Sequence, residues 1–276
     1  MPHFTIDVLA DQCGVTPANI RSWQRYGLLK PLRDEKGRRF FASSHIARIT
    51  TIVSWLKKGV ALSDMLALIN GETLRQTSGW MTCQQQILAH CEAFHPQKLR
   101  ALIWRYGREI PPAIFIDEVI RPLRLWLNAG KQPELDMSRL LLDTALTEYA
   151  TFLLSSVRKR PAATMLMMSF SLKDPLELWL EAIRYAGDGF RVEVLSGAVV
   201  RPDLSRVQAD HIMIWSDRAL TLSQQQQYDS WLESGLYVFL AGPAAKEAKA
   251  QPTKIWFTPA DDRADLSITL PAEKNL

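Results

Sequence analysis

Apolar residues in the first seventy positions recur at helical spacing in short runs broken by turn signals. Phe4, Ile6, Val8, Leu9 and Ala10 open a short helix that Gly14 is suited to end. Thr16-Pro17 then supplies an N-cap and a proline at the first helical position, which predicts a second helix from Pro17 to about Tyr26. Two short helices joined by a Cys-Gly-Val turn make a helix-turn-helix pattern. In the second helix Ile20 and Trp23 share one inward face. Arg21, Ser22 and Arg25 are expected to point outward, with Asn19 and Gln24 at the flanks. Leu32-Arg33, the charged Gly-containing turn Asp34 to Gly37, and Arg38 to Phe41 then read as a β-hairpin wing. Ser43 or Ser44 can cap a third helix ending near Lys58-Gly59, and Ser63-Asp64 can start a fourth through Ile69.

The polar stretch 71–79 reads as a hinge between this 1–70 head and a body. Residues 80–160 are helical throughout in pattern: Gln84 to Phe94, Pro96 to Gly107, Pro112 to Asn128 and Met137 to Lys159, enough to close a four-helix bundle. After Arg160-Pro161 the period changes. Ala162 to Ser169, Phe190 to Leu195, His211 to Trp215 and Leu236 to Leu240 read as strands. Leu176 to Ala186, Pro202 to Val207 and Ser223 to Ser234 read as the helices between them. Such alternation over 161–243 predicts a doubly wound parallel α/β domain of flavodoxin-like build, with ligands expected beyond the strand carboxyl ends. Residues 244–276, rich in Ala, Lys and Pro before KIWFTPADD, form a tail in which Ile255 to Phe257 can add an edge strand.

Composition agrees with folded domains. Of 276 residues, 47% are hydrophobic and 22% charged, and the longest apolar runs fall well short of the roughly 20 residues that span a bilayer, so no membrane partner is expected. The start of the chain has no secretory pattern, so a cytoplasmic location is expected. Charge is uneven. Residues 1–58 hold ten Lys/Arg against four Asp/Glu, a surplus of six, while the whole chain carries +4. A basic head on a slightly acidic body points to a polyanion, because phosphate neutralisation with counterion release dominates nucleic-acid affinity.

Cys13, Cys83 and Cys91 lack CxxC spacing and read as free or buried thiols, with a Cys83/Cys91 metal or redox sensor as the alternative. No phosphate-cradling glycine run follows the first strand of the α/β domain, and no catalytic set is present, so neither an enzyme nor a bound dinucleotide is expected. His211 beside Asp210 reads as a loop residue at a strand start rather than a general base.

IRSWQRYGLL, KPLR, GRRFF, the helix through Ile46 to Ile49, and KKGVALSDMLALI resemble the MerR family of transcription regulators in order and spacing. The resemblance implies a winged helix-turn-helix in a homodimer that binds a palindromic promoter site on double-stranded DNA, where RNA polymerase is the further partner. Carried over by position, Thr16, Asn19, Arg21, Ser22, Gln24 and Arg25 become groove or phosphate contacts, and Arg33, Lys36, Arg38 and Arg39 become wing contacts. The family's usual Gly-Tyr-Arg is here Gly37-Arg38-Arg39, a second cation in place of the aromatic.

The body resembles the MerR subgroup whose effector domain is built like a cobalamin-binding module. In that subgroup a DxHxxG motif carries the lower cobalt ligand. Here the matching run from Asp174 has Leu176 in place of the histidine and Trp179 in place of the glycine, and Glu148-Tyr149 stands where a Glu-His pair touches the upper face. Leucine has no lone pair for cobalt. LELWLEA over Leu176–Ala182 and LTEYA over Leu146–Ala150 resemble an enterobacterial subfamily, typified by MerR-like regulator A and the blue-light-pathway repressor, that keeps the architecture without the B12 ligands. That resemblance implies no cofactor, a degenerate effector pocket, input from a regulatory protein partner, and a role in biofilm and curli control. The alternative is a sensor that responds to cobalamin or another small molecule through the α/β pocket.

Overall fold

The computed structural model describes residues 3–69, 79–130, 132–158 and 161–247. Most of the expected hinge, and the tail beyond 247, lie outside the described residues. In the head, the Thr5 side chain caps α1 (Ile6–Cys13), and Gly14 ends it in the left-handed region at φ 62°. Thr16 and Asn19 form a reciprocal capping box at the start of α2 (Pro17–Arg25). A short antiparallel hairpin, β1 (Leu32–Arg33) and β2 (Arg39–Phe40), sets Leu32 opposite Phe40 and Arg33 opposite Arg39. Phe4 bridges to Phe41 and fastens the chain start to this hairpin. α3 (Ser43–Lys57) and α4 (Leu62–Ile69) complete the head.

The helical domain comprises α5 (Met81–Glu92), α6 (Pro96–Glu109), α7 (Pro112–Ile114), a π-helical turn (Phe115–Ile120), α8 (Arg121–Ala129) and α9 (Pro133–Val157). The periodicity predicted one unbroken helix over 112–128, and the π turn interrupts it. Pro122 supplies the cause, since it has no N–H to return to the carbonyl of Glu118. That carbonyl instead accepts from the Gln84 side-chain amide at 2.9 Å.

Four parallel strands, β3 (Thr164–Ser171), β4 (Arg191–Ala198), β5 (His211–Ser216) and β6 (Val238–Ala241), make a sheet in the order β4-β3-β5-β6. One face lies under α10 (Pro175–Gly187) and the other under α11 (Leu222–Glu233), with α12 (Pro243–Glu247) at the end of the described chain. The helix expected over 202–207 is absent. Residues 199–210 are an irregular connection in which Leu204 is pinned into the core and the Pro202 carbonyl accepts from Gln227.

α10 has two apolar sides. Leu176, Leu180 and Ile183 join the core of the helical domain, whereas Leu178, Ala182 and Ala186 face the sheet. The helix therefore belongs to both layers. The head is joined as firmly, because a single apolar cluster runs from Leu9, Ile20 and Trp23 through Leu99 and Ile103 to Leu142 and Leu180.

Candidate nucleic-acid interface and effector cavity

The two faces of α2 differ sharply. Arg21 and Arg25 are exposed and Gln24 is half-buried, as expected from the spacing. Asn19 and Ser22 do not point outward; both are fully buried. Asn19 lends its oxygen to the Thr16 capping box and donates its amide to the carbonyls of Arg108 and Ile110, each at 3.1 Å. The half-buried Thr16 hydroxyl is spent on the same cap. The Trp23 indole donates to the Glu109 carbonyl at 2.9 Å, and the Tyr26 hydroxyl donates to the Glu109 carboxylate at 2.9 Å. Burial and that hydrogen bond hold the Tyr26 phenol above its ordinary pKa. Asn19, Ser22, Trp23 and Tyr26 follow i, i+3, i+4, i+7 spacing, so a whole stripe of α2 is seated on the end of α6.

In the hairpin, Asp34 organises the turn by accepting from the backbone of Lys36 and Arg38 and pairing with the Arg38 guanidinium at 2.8 Å. These donors hold its carboxyl below the usual carboxylate range. Gly37 takes φ 75° there, and the Arg33 side chain donates to its carbonyl. Arg33, Lys36, Arg38 and Arg39 are all exposed. Arg33 and Arg39 stand directly opposite each other across the strands, an arrangement of like charges that costs stability unless an anion lies over it.

The body holds an open cavity of about 1090 Å³ between α9 and the start of α10. Glu148, Asp174, Leu176 and Trp179 line it, together with Phe152 and Arg139. Tyr149 does not. It is buried in the helical core, edge-on to Trp104 and Phe115, and it borders a separate cleft beneath α1 and α2. A helix turns successive side chains by about 100°, and that turn carries Tyr149 from the cavity side of α9, where Thr147 and Glu148 lie, into the helical core.

Two of the acidic lining residues, Glu148 and Asp174, are already committed. Glu148 makes a two-point pair with Arg100, at 2.5 and 2.7 Å, which lowers its pKa. Asp174 caps α10 through the Leu176 N–H and accepts from Arg124 at 2.8 Å. Arg124 is only 3% exposed and also binds Asp143 and Glu177. Neighbouring Arg121 bridges Asp117, Glu177 and Glu181, so the two arginines lace α8 to α10. At the carboxyl ends of the strands, Trp215 closes the sheet against Gly242, where a Cβ would sit 2.8 Å from the indole. Asp210 lies at the opposite edge, capping the start of β3 through the Thr164 N–H and hydroxyl.

Two groups were missed from the sequence. The carbonyls at the end of α6 are followed by Pro111 and Pro112, which have no N–H to return to them; that pair of prolines was the available signal for donors arriving from elsewhere. Arg121 and Arg124 on an otherwise apolar helix, with Glu177 and Glu181 on another, signalled the ion-pair lacing. Burial pushes all three thiols up, Cys91 to about 12, which disfavours the thiolate that a metal would need. Among the described residues no helix is long and apolar enough to cross a membrane.

A helix-turn-helix followed by a basic hairpin is the build of a MerR-type regulator. Residues 4–71 match the MerR HTH family regulatory protein model. Residues 80–155 and 162–238 match the helical and C-terminal domains of transcriptional regulator MlrA. The HTH-type transcriptional regulator MlrA of Escherichia coli K12 is 32% identical over 88% of this chain and 100% of its own length. The MlrA of Salmonella typhimurium SL1344 is 32% identical over 85% of this chain and 97% of its own. The mercuric resistance operon regulatory protein of Bacillus cereus is 36% identical over 24% of this chain and 51% of its own. The chain belongs to the MlrA family of MerR-type transcriptional regulators, and that family is not one of enzymes.

Proposed function

We propose that this protein is a homodimeric, cytoplasmic transcription regulator that recognises a palindromic promoter site with α2 and the hairpin, acts there on RNA polymerase, and takes its input from a protein partner. The observation that carries the DNA reading is the opposed pair Arg33 and Arg39, exposed in a head that also exposes Arg21, Arg25 and Lys36. Phosphates laid across that pair would relieve its repulsion. That the relatives are HTH-type transcriptional regulators supports regulation at DNA. Control of biofilm and curli genes is part of the same reading.

Cobalamin does not suit the cavity. Leu176 offers no donor atom, and the Asp174 carboxylate is held by Arg124 and the α10 backbone. A small-molecule sensor of another kind is the second reading, favoured by the cavity's volume of about 1090 Å³. Genome-wide mapping of bound DNA with the wild type and an Arg21→Ala/Arg25→Ala variant tests the first reading. Discrete wild-type peaks that the variant loses are expected, and the same scattered background for both would end it.

A further inference from the structure

The seat of α2 on α6 is specific. Three successive carbonyls at the end of α6, those of Arg108, Glu109 and Ile110, carry the negative end of the helix dipole and need donors. They receive two from the Asn19 amide and one from the Trp23 indole, while Tyr26 reaches the Glu109 carboxylate. The fit is also incomplete: the Ser22 hydroxyl is buried in this seat without a hydrogen-bond partner. Water or a phosphate would restore that bond once the helix left its seat. Groove dimensions decide what the seat means for DNA. The B-DNA major groove is about 12 Å wide and a helix with its side chains about 10–12 Å across, so the flank of α2 that the end of α6 covers is the flank a groove wall would occupy.

We propose that the turn Arg108–Ile110 is a docking site for this chain's own recognition helix, and that duplex DNA and this turn compete for one face of α2. The inference rests on α2 being the element that reads DNA. The seated form is closed, and release of α2 from α6 is the step that makes the head competent. Asn19 and Ser22 have two destinations: the carbonyl turn or the groove.

The test uses the full chain and a duplex that the chain enriches from a random-sequence library. Tyr26→Phe and Glu109→Ala each break the same contact from opposite sides. Each is expected to tighten DNA binding by about three- to tenfold, the scale of one partly exposed hydrogen bond to a carboxylate. The double variant should be no tighter than the tighter single. In chain labelled with ¹⁵N-tryptophan, the Trp23 indole resonance should shift when DNA binds. Tightening by Glu109→Ala alone is a charge effect and overturns the proposal, as does wild-type affinity in both variants or an unmoved Trp23 resonance. If Arg21→Ala/Arg25→Ala binds the duplex like the wild type, α2 is not the reading element, and the proposal falls for that separate reason.

Discussion

Gly107 lies inside α6, one residue before the turn that holds α2, and its replacement by alanine sets two effects against each other. Alanine is favoured over glycine in a helix interior by about 1 kcal/mol, so propensity alone predicts a more stable protein. Packing predicts the reverse. A Cβ at 107 would lie 2.1 Å from the Tyr149 hydroxyl oxygen and 2.4 Å from the ring carbon that bears it. Tyr149 is 4% exposed, with Trp104 5.2 Å and Phe115 6.5 Å away between ring centroids, so two sides of the ring are closed and any shift must run toward the cleft beneath α1 and α2. Overpacking of this kind costs about 1–3 kcal/mol, and a collision with the ring itself belongs at the upper end. The expected net loss is about 2 kcal/mol, a fall in Tm of about 5 °C by calorimetry of the full chain. Tyr149→Phe should rescue little, because the ring carbon remains at 2.4 Å; Tyr149→Leu should remove most of the penalty. A rise in Tm for Gly107→Ala alone, or an equal penalty when Gly107→Ala is combined with Tyr149→Leu, would refute the reasoning.

Arg39→Ala should weaken binding to all duplexes alike and lower the slope of log affinity against log salt by about one, read from titrations at several salt concentrations. An unchanged slope removes its phosphate-contact role. Arg124→Ala leaves Asp143, Asp174 and Glu177 facing one another without their shared cation, and thermal melting should show a loss of about 3 kcal/mol. A loss below about 1 kcal/mol would mark the lacing as a surface-like arrangement. Cys91 and Tyr149 both have pKa values raised to about 12 by burial. Folded-state values above the unfolded ones of about 8.5 and 10 mean that their contribution is fully present below about pH 8.5 and is lost as pH rises toward 12. Urea titrations across that window should show stability falling with pH, and Cys91 should react with thiol reagents at pH 8 only after unfolding.

Local signals carried the head well. Gly14 and Thr16-Pro17 mark the turn and the α2 start through backbone chemistry that needs no distant partner. Asn19 and Ser22 show where such reading stops. On an isolated helix two small polar residues belong in water; the burial of Asn19 depends on carbonyls up to 91 residues away in sequence, and Ser22 is buried on the same stripe without a partner of its own. Tyr149 is a register question of the same kind, since one residue's difference along α9 decides between the cavity and the core. The π turn was legible in principle, because Pro122 sits inside the apolar period and must free a carbonyl. The segment 202–207 shows proline and apolar spacing without a helix, for Leu204 alone anchors it and six residues are too few to nucleate one independently. The parallel sheet was readable because β3 is covered on both faces and so reads as a nearly continuous apolar run.

The two covers of that sheet are unequal. α10 has seven buried residues, of which Leu178, Ala182 and Ala186 face the sheet, whereas α11 has none that is fully buried and leans on the sheet through half-buried Tyr228 and Trp231. Local opening follows the area that must be uncovered, so amide exchange should begin in α11 and reach the strands beside α10 last. The domain thus has a fast-opening side, turned away from the helical domain, and a slow side fused to it. A perturbation that loosens the sheet from α11 can run its course without disturbing the layer that carries the head.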